Sequence, residues 1–273
     1  MKMYEMFYEM KHTPFTRSIP TDMLCKTHQN AEILDRLEYT AMHQLFTLLV
    51  GEPGTGKTSA LRHLKDKLPE DKYMVIYISD SRLKPRSFYY YTLGMFGCKA
   101  SIHTSISRQE LISQTEIMRS IHNRKVVVII DEAHLLGKEM LEEARFLLNY
   151  RMDSENPVSL ILSGQTELWD KLKLSAYRAI LGRVDIECFL TPMDFSDTKK
   201  YIESQLKYSG HTAPIFTEDA MRSIFEFSGG NPRAINRACT QSLIYGSQMK
   251  QTCIDSKSVD IVLKNEVTGV KSS

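Results

Sequence analysis

The chain has 273 residues, of which 42% are hydrophobic and 25% charged, an ordinary globular composition that excludes a fibrous or low-complexity protein. The net charge of +2 is nearly neutral, so a nucleic-acid surface must be a local patch rather than a field over the whole molecule. The five cysteines include no C-x-x-C pair, and the first residues contain no apolar signal-peptide core. We therefore expect a soluble, cytoplasmic protein with reduced thiols and no membrane segment.

Four parts are predicted along the chain. Residues 1–44 are predicted to form an extended arm and then a helix over 30–43, both packed on the domain that follows. Residues 45–192 alternate short apolar strands with helices, a pattern that indicates a parallel sheet with right-handed crossovers. Residues 193–265 show helical patterns alone, and residues 266–273 are expected to be a disordered tail.

The sheet is predicted to have five strands, at 45–50, 74–79, 126–130, 158–162 and 184–189. The third strand is continuously apolar, as expected for a strand buried on both faces. In the second domain, Thr217 and Asp255 are predicted N-caps, Gly229 a C-terminal stop and Pro232 a first-turn proline. The expected fold class is α/β, with a five-stranded parallel sheet followed by a small all-helical domain.

A phosphate-binding loop follows the first strand. Its sequence, Gly51-Glu52-Pro53-Gly54-Thr55-Gly56-Lys57-Thr58, matches the pattern G-x-x-x-x-G-K-[ST] at every position. The glycines let backbone N–H groups turn toward a polyanion, and the helix that starts here, with Ser59 in its first turn, points its positive end at the same phosphates. We expect Lys57 to reach the β- and γ-phosphates of ATP, and the Thr58 hydroxyl to ligate Mg²⁺.

The third strand ends in a pair of acidic residues, Asp131 and Glu132. A buried strand delivers them to the sheet edge where ligands sit in α/β proteins. Asp131 is expected to hold Mg²⁺ through water, and Glu132 is the candidate base that polarises the attacking water. The alternative for Glu132 is a solvated carboxylate at a helix start. His134 completes the D-E-A-H sequence without an assigned role.

These motifs resemble those of the AAA+ ATPases, in which a helical lid follows an α/β nucleotide domain. The resemblance implies a sensor-1 polar residue after the fourth strand, for which Gln165 is preferred, while Ser163, Thr166 and Glu167 remain open. It implies that Arg183, or else Arg178, is an arginine finger that reaches the γ-phosphate in a neighbouring subunit. It also implies that Arg233, in the sequence Gly229-Gly230-Asn231-Pro232-Arg233, is sensor 2. A surface salt bridge is the alternative for each arginine.

A closer resemblance, over about residues 1–265, is to the ExeA-type branch of this superfamily. It rests on Thr13-Pro14-Phe15, the phosphate-binding loop, the D-E-A-H sequence, S-G-Q-x-E-L from Ser163 and G-N-P-R-A-I-N from Gly230. The resemblance implies that the arm crosses the adenine, with Phe15 or Ile19 as lining residues. Plain packing of Phe15 on the domain is the alternative.

Long members of this branch resemble secretion ATPases with a membrane helix and a cell-wall-binding domain. Short members resemble the transposon helper ATPases TnsC, TniB, MuB and IstB. Neither extra part is seen in this chain, which favours the transposon role. The resemblance then implies assembly with ATP on duplex DNA as a ring or filament, and recruitment or stimulation of a transposase, with a target-selection protein as a further partner. The alternatives are a secretion or cell-envelope assembly ATPase, and a helicase loader or replication initiator.

A basic segment after the second strand is the candidate DNA-binding surface. Arg82, Lys84 and Arg86 fall within five residues, and Lys99 and Ser101 follow. Such side chains contact phosphates without reading bases, so little sequence preference is expected. The alternative is a solvated loop.

Overall fold

The computed structural model describes residues 3–25, 27–80, 82–151, 155–211 and 213–269. The strands are β1 (Phe46–Gly51), β2 (Tyr73–Ile78), β3 (Lys125–Ile130), β4 (Ser159–Gly164) and β5 (Ile186–Leu190). The helices are α1 (Met3–Phe7), α2 (His28–His43), α3 (Lys57–Lys67), α4 (Pro85–Met95), α5 (Thr104–Ser120), α6 (Lys138–Leu148), α7 (Thr166–Lys173), α8 (Arg178–Leu181), α9 (Phe195–Tyr208), α10 (Glu218–Ser228), α11 (Pro232–Gln248) and α12 (Ser256–Gly269).

The chain divides into two compact units. The α/β unit consists of His28–Pro53 and Lys57–Leu190. The helical unit consists of Met1–Thr27, Gly54–Gly56 and Thr191–Ser273.

All five strands of the α/β unit form one parallel sheet in the order β2-β3-β4-β1-β5, which confirms the predicted sheet. The register places Ile130 of β3 opposite Leu162 of β4, and Ser163 of β4 opposite Leu49 of β1. The carboxyl ends of these three neighbouring strands therefore share one edge of the sheet, where ligands sit in open α/β folds.

Both faces of the sheet are covered by helices. Val128 and Ile130 pack into the core on one face, and Val127 and Ile129 pack into the core on the other, because successive side chains of a strand point in opposite directions. The first core contains Leu111 of α5 and Leu141 of α6, and the second contains Leu37 of α2 and Leu61 of α3. Each fully buried aliphatic side chain contributes about 1.5–3 kcal/mol.

Caps define the helices of the helical unit. Thr217 accepts a hydrogen bond from the Ala220 N–H at 3.1 Å, and Asp255 accepts one from the Ser258 N–H at 2.9 Å, as the sequence predicts. Gly229 ends α10 in the left-handed conformation, with φ of 56°, and Pro232 opens α11.

The arm differs from the expectation that residues 1–44 pack on the α/β domain. Only α2 does so; Tyr4, Tyr8 and Phe15 belong to the core of the helical unit. The Lys11 N–H donates to the Ser209 carbonyl at 2.7 Å, and the Phe15 N–H donates to Gln205 Oε1 at 2.9 Å. The aromatic side chains are buried by α9 to α12, a choice of partner that the local sequence does not encode.

The last helix also extends further than expected. α12 continues to Gly269 rather than ending near 265, so it enters the segment that was expected to be a disordered tail. Residues 270–273 of the predicted tail lie outside the described residues. The short helices α4, α7 and α8 add to those expected from the sequence. Among the described residues, no helix is long and apolar enough to cross a bilayer.

Candidate nucleotide site

The phosphate-binding loop joins β1 to α3, as predicted. Gly54 and Gly56 have φ of 88° and 106°, a region that costs little only for glycine. Lys57 is buried at the start of α3, and its Nζ donates to the Gly51 carbonyl at 2.6 Å and the Glu52 carbonyl at 3.0 Å. Two loop carbonyls therefore hold the ammonium group at the start of α3, where the N–H groups of a helix N-terminus favour a phosphate.

Asp131, directly after β3, is the centre of a hydrogen-bond cluster. It is only 4% exposed. Its Oδ1 accepts from the Ser163 hydroxyl at 2.8 Å and from the Glu132 N–H at 3.0 Å. Its Oδ2 accepts from the Tyr77 hydroxyl at 2.8 Å and from the Thr58 hydroxyl at 3.2 Å. Each bond to an ionised carboxylate is stronger than a neutral one, so β2, α3 and β4 together fix its orientation.

The donor set around Asp131 fits a magnesium ion. A carboxylate oxygen and a threonine hydroxyl lie 3.2 Å apart at the mouth of the phosphate loop. Mg²⁺ prefers hard oxygen ligands and takes one or two from the protein, with phosphate and water oxygens completing the shell. Thr58 and Asp131 would hold the ion, which supplies neutralisation of the phosphate charge.

Glu132 is presented differently from Asp131. Its backbone is left-handed, with φ of 54° and ψ of 33°, and its side chain is 49% exposed. Its carboxylate makes no capping hydrogen bond to the short 3-10 turn Ala133–Leu135 that follows. The catalytic base and the solvated carboxylate at a helix start both stay open for Glu132. Its Oε2 lies 3.5 Å from His134 Nδ1. A partly exposed carboxylate next to a fixed metal ligand can reach water.

The four sensor-1 candidates make different contacts, and the role itself stays a prediction. Its backbone N–H points to His134 Nδ1 at 3.5 Å, whereas Ser163 contacts Asp131 directly. The Thr166 hydroxyl donates to Glu52 Oε1 at 3.0 Å, and Glu167 is exposed. Ser163 lies on β4, the strand beside β3, and contacts the acidic pair, while Gln165 lies beyond the strand. The strand order that makes these two strands neighbours is not readable from the sequence.

The three candidate arginines lie in different places. Arg183 follows α8 and is half-buried, and Arg178 begins α8 and is exposed. Arg233 belongs to the helical unit, as Gly54 does, and is exposed. Its backbone N–H donates to Asn231 Oδ1 at 3.0 Å and to the Gly54 carbonyl at 3.3 Å. Sensor 2 and the arginine finger stay predictions for Arg233 and for Arg183 or Arg178.

Phe15 and Ile19, the adenine candidates, are both buried, and Phe15 packs in the core of the helical unit. Their contact with adenine stays a prediction. The basic candidates are exposed: Arg82, Lys84, Arg86 and Lys99. Ser101 is half-buried, and its hydroxyl accepts from the His103 N–H at 3.2 Å. Ser81, which opens the basic segment, lies outside the described residues.

Sequence reasoning missed Tyr77, which is the second hydroxyl on Asp131 Oδ2. It also missed Lys171 of α7, whose Nζ donates to the His134 carbonyl at 3.1 Å and the Leu136 carbonyl at 2.7 Å and so ties down the turn after Glu132. The available signal for Tyr77 was its place near the end of the strand before the basic segment.

A parallel sheet with a phosphate loop after β1, an acidic pair after β3, and β4 between these two strands defines a P-loop ATPase of the AAA+ fold, which uses ATP and Mg²⁺. Residues 40–172 match the family model described as AAA domain.

Among curated proteins, the chain is 30% identical over 244 residues to the general secretion pathway protein A of Aeromonas hydrophila. The match covers 89% of this chain and 44% of that protein, so the chain spans less than half of its relative.

Solved structures share the fold. A structure of Drosophila ORC bound to DNA matches with a TM-score of 0.69 and 16% identity, over 97% of this chain and 66% of that one. Cdc6p of Pyrobaculum aerophilum matches with a TM-score of 0.63 and 16% identity, over 92% and 68%. The RuvB Holliday junction branch migration motor of Thermotoga maritima matches with a TM-score of 0.58 and 18% identity, over 88% and 69%. At these identities the likeness shows the fold alone.

Proposed function

We propose that this ATPase is a nucleotide-controlled switch that assembles with copies of itself on duplex DNA and, once assembled, recruits or stimulates a transposase. One observation carries the DNA part of the proposal. β2 brings Tyr77 to Asp131 at the nucleotide site, and the exposed Arg82, Lys84 and Arg86 begin only four residues after β2 ends at Ile78. DNA phosphates bound by these basic residues would therefore be connected through β2 to Asp131, the candidate metal ligand.

The geometry of the site supports the following roles in hydrolysis. Lys57 and the loop N–H groups would hold the phosphates, while Thr58 and Asp131 would hold the magnesium ion. Glu132 accepts the proton of the attacking water, because its side chain is the exposed member of the acidic pair. Ser163 keeps Asp131 oriented and takes the sensor-1 role.

Assembly would make the site depend on a second subunit. Arg183, or Arg178, of one subunit would approach the γ-phosphate held by its neighbour, so ATP favours a ring or filament and hydrolysis loosens it. Each subunit then adds a few weak phosphate contacts, and multivalency turns these into tight binding. A transposase and a target-selection protein would bind the assembled form.

Electron microscopy with duplex DNA and a non-hydrolysable ATP analogue tests this proposal. The parent protein should form rings or filaments that depend on both ligands. The Lys84→Ala/Arg86→Ala variant should lose DNA-dependent assembly. For its binding to DNA, the slope of log K against log salt concentration should be smaller in magnitude by about two.

A charge-matched control is Lys65→Ala/Lys72→Ala, which removes two exposed cations elsewhere in the α/β unit. It should assemble like the parent. Monomers in the presence of both ligands would refute assembly, and equal losses in the two variants would refute the assigned surface.

A second candidate function is assembly of a secretion or cell-envelope complex. It is favoured by the 30% identity, over 89% of this chain, to general secretion pathway protein A. If this second candidate is right, the protein should not bind duplex DNA, and DNA should not change its ATPase rate. ATP-dependent self-assembly should persist without DNA. The same microscopy without DNA separates the two candidates.

A further inference from the structure

Tyr77 occupies an unusual place for a partly exposed aromatic residue. It lies on β2, the edge strand of the sheet, opposite Ile129 of β3. The residue is 45% exposed, yet its hydroxyl donates to Asp131 Oδ2 at 2.8 Å. Packing alone does not require the hydroxyl, because phenylalanine would cover the same apolar surface. The hydroxyl therefore points to a role at the carboxylate.

Tyr77 and the candidate magnesium ligand Thr58 contact the same oxygen of Asp131. Thr58 donates to the same Oδ2 at 3.2 Å, and Thr58 is the hydroxyl of the phosphate-loop motif. The other oxygen, Oδ1, is held separately by Ser163 and by the Glu132 N–H. Loss of the Tyr77 hydroxyl would leave Oδ2 with the Thr58 hydrogen bond alone, so the carboxylate would be less constrained at that oxygen.

We propose that Tyr77 is a positioning residue that holds the Asp131 carboxylate in the orientation that Mg²⁺ requires, and thereby sets the affinity of the site for magnesium-bound nucleotide. The phenol remains a donor throughout the neutral range. Burial and the hydrogen bond to Asp131 both raise the pKa of Tyr77 above its ordinary value.

Isothermal titration calorimetry with a non-hydrolysable ATP analogue tests the role directly. Tyr77→Phe should bind the analogue as the parent does in EDTA, since Lys57 and the loop are untouched. With Mg²⁺ present its affinity should fall about tenfold, the change expected for losing one hydrogen bond to a charged acceptor. The Mg²⁺ concentration that gives half-maximal ATPase rate should rise by a similar factor.

Tyr73→Phe is the matched control, because Tyr73 lies on the same strand and, four residues earlier, on the same face. It should behave as the parent in both titrations. In an Asp131→Asn background, Tyr77→Phe should add nothing, since the group it orients has been removed.

Three outcomes would overturn the proposal. They are parent-like or tighter Mg²⁺-dependent binding by Tyr77→Phe, an equal loss with and without Mg²⁺, and a full additional loss in the Asp131→Asn background. These titrations contain no DNA, and each variant is compared with and without Mg²⁺, so failure of the Tyr77 proposal is distinguishable from failure of the proposed DNA-dependent assembly.

Discussion

Replacing Glu143 by glutamine should destabilise the α/β unit by about 2–3 kcal/mol. Glu143 lies on α6 and joins three helices. Its Oε1 accepts from the Tyr89 hydroxyl of α4 at 2.6 Å. Arg108 of α5 donates to both carboxylate oxygens, from Nε to Oε1 at 2.7 Å and from Nη2 to Oε2 at 2.9 Å. One side chain therefore satisfies a phenol and a guanidinium at once.

The magnitude lies between two limits. Breaking a fully buried ion pair by removing one partner costs roughly 3–5 kcal/mol, whereas an exposed pair is worth about 0–1 kcal/mol. The Glu143 side chain is 9% exposed and the Arg108 side chain 25%, so the pair is close to the buried limit with some solvent screening. Glutamine keeps the shape and one acceptor oxygen, which lowers the loss below that of alanine.

Urea unfolding followed by tryptophan fluorescence measures this loss. The only tryptophan of the chain is Trp169 of α7, so the signal reports on the α/β unit. The matched control is Glu142→Gln, the same change one residue earlier. Glu142 pairs with Arg145 at 2.8 Å in an i,i+3 pair, a type worth about 0.2–0.5 kcal/mol. Equal losses in the two variants would refute the reasoning that the buried three-way contact dominates.

Three further predictions concern the site and the two units. Ser163→Ala should lower kcat/KM about tenfold, since it removes a hydrogen bond to Asp131, while Gln165→Ala should stay near the parent in steady-state kinetics; the reverse order would favour Gln165 as sensor 1. Asn231→Ala removes the acceptor that caps α11 and should cost about 1 kcal/mol in calorimetric unfolding, and no loss would argue against the cap. Burial raises the pKa of Cys188 to about 11, so a thiol reagent at pH 8 should label exposed Cys253 quickly and Cys188 only after unfolding. Rapid labelling of Cys188 in the folded protein would contradict its burial.

The sequence predicted the parts of the molecule that rest on local patterns. The apolar run of β3 and the loop from Gly51 to Thr58 were legible, because strand burial and phosphate binding both impose residue types at fixed spacing. The caps Thr217 and Asp255 were legible for the same reason, since a cap depends on a side chain and an N–H three residues away.

Contacts between distant segments were not legible. Ser163 and Tyr77 meet Asp131 only because β4 and β2 flank β3, and one sequence does not reveal that strand order. The arm was assigned to the wrong unit for a similar reason. Phe15 needed an apolar partner, and nothing near it in the chain distinguishes the sheet from α9 to α12 as that partner.

The two acidic residues at the end of β3 are held by different means, and this difference matches their proposed roles. Asp131 is fixed through its side chain, by hydroxyl groups from three elements. Glu132 is fixed through its backbone. A left-handed backbone at a residue other than glycine costs about 1–3 kcal/mol and persists only where the surrounding structure holds it. Lys171 helps to hold this backbone by donating to the His134 and Leu136 carbonyls.

Gly164 completes this support, since a Cβ there would lie 3.0 Å from the His134 nitrogen, closer than ordinary packing allows. The backbone after Glu132 is thus clamped by α7 and by the end of β4, while the Glu132 carboxylate stays partly exposed. A metal ligand requires a fixed oxygen, whereas a base must reach a water molecule that arrives with the nucleotide. One strand end supplies both, because only the first of its two carboxylates is locked by hydrogen bonds.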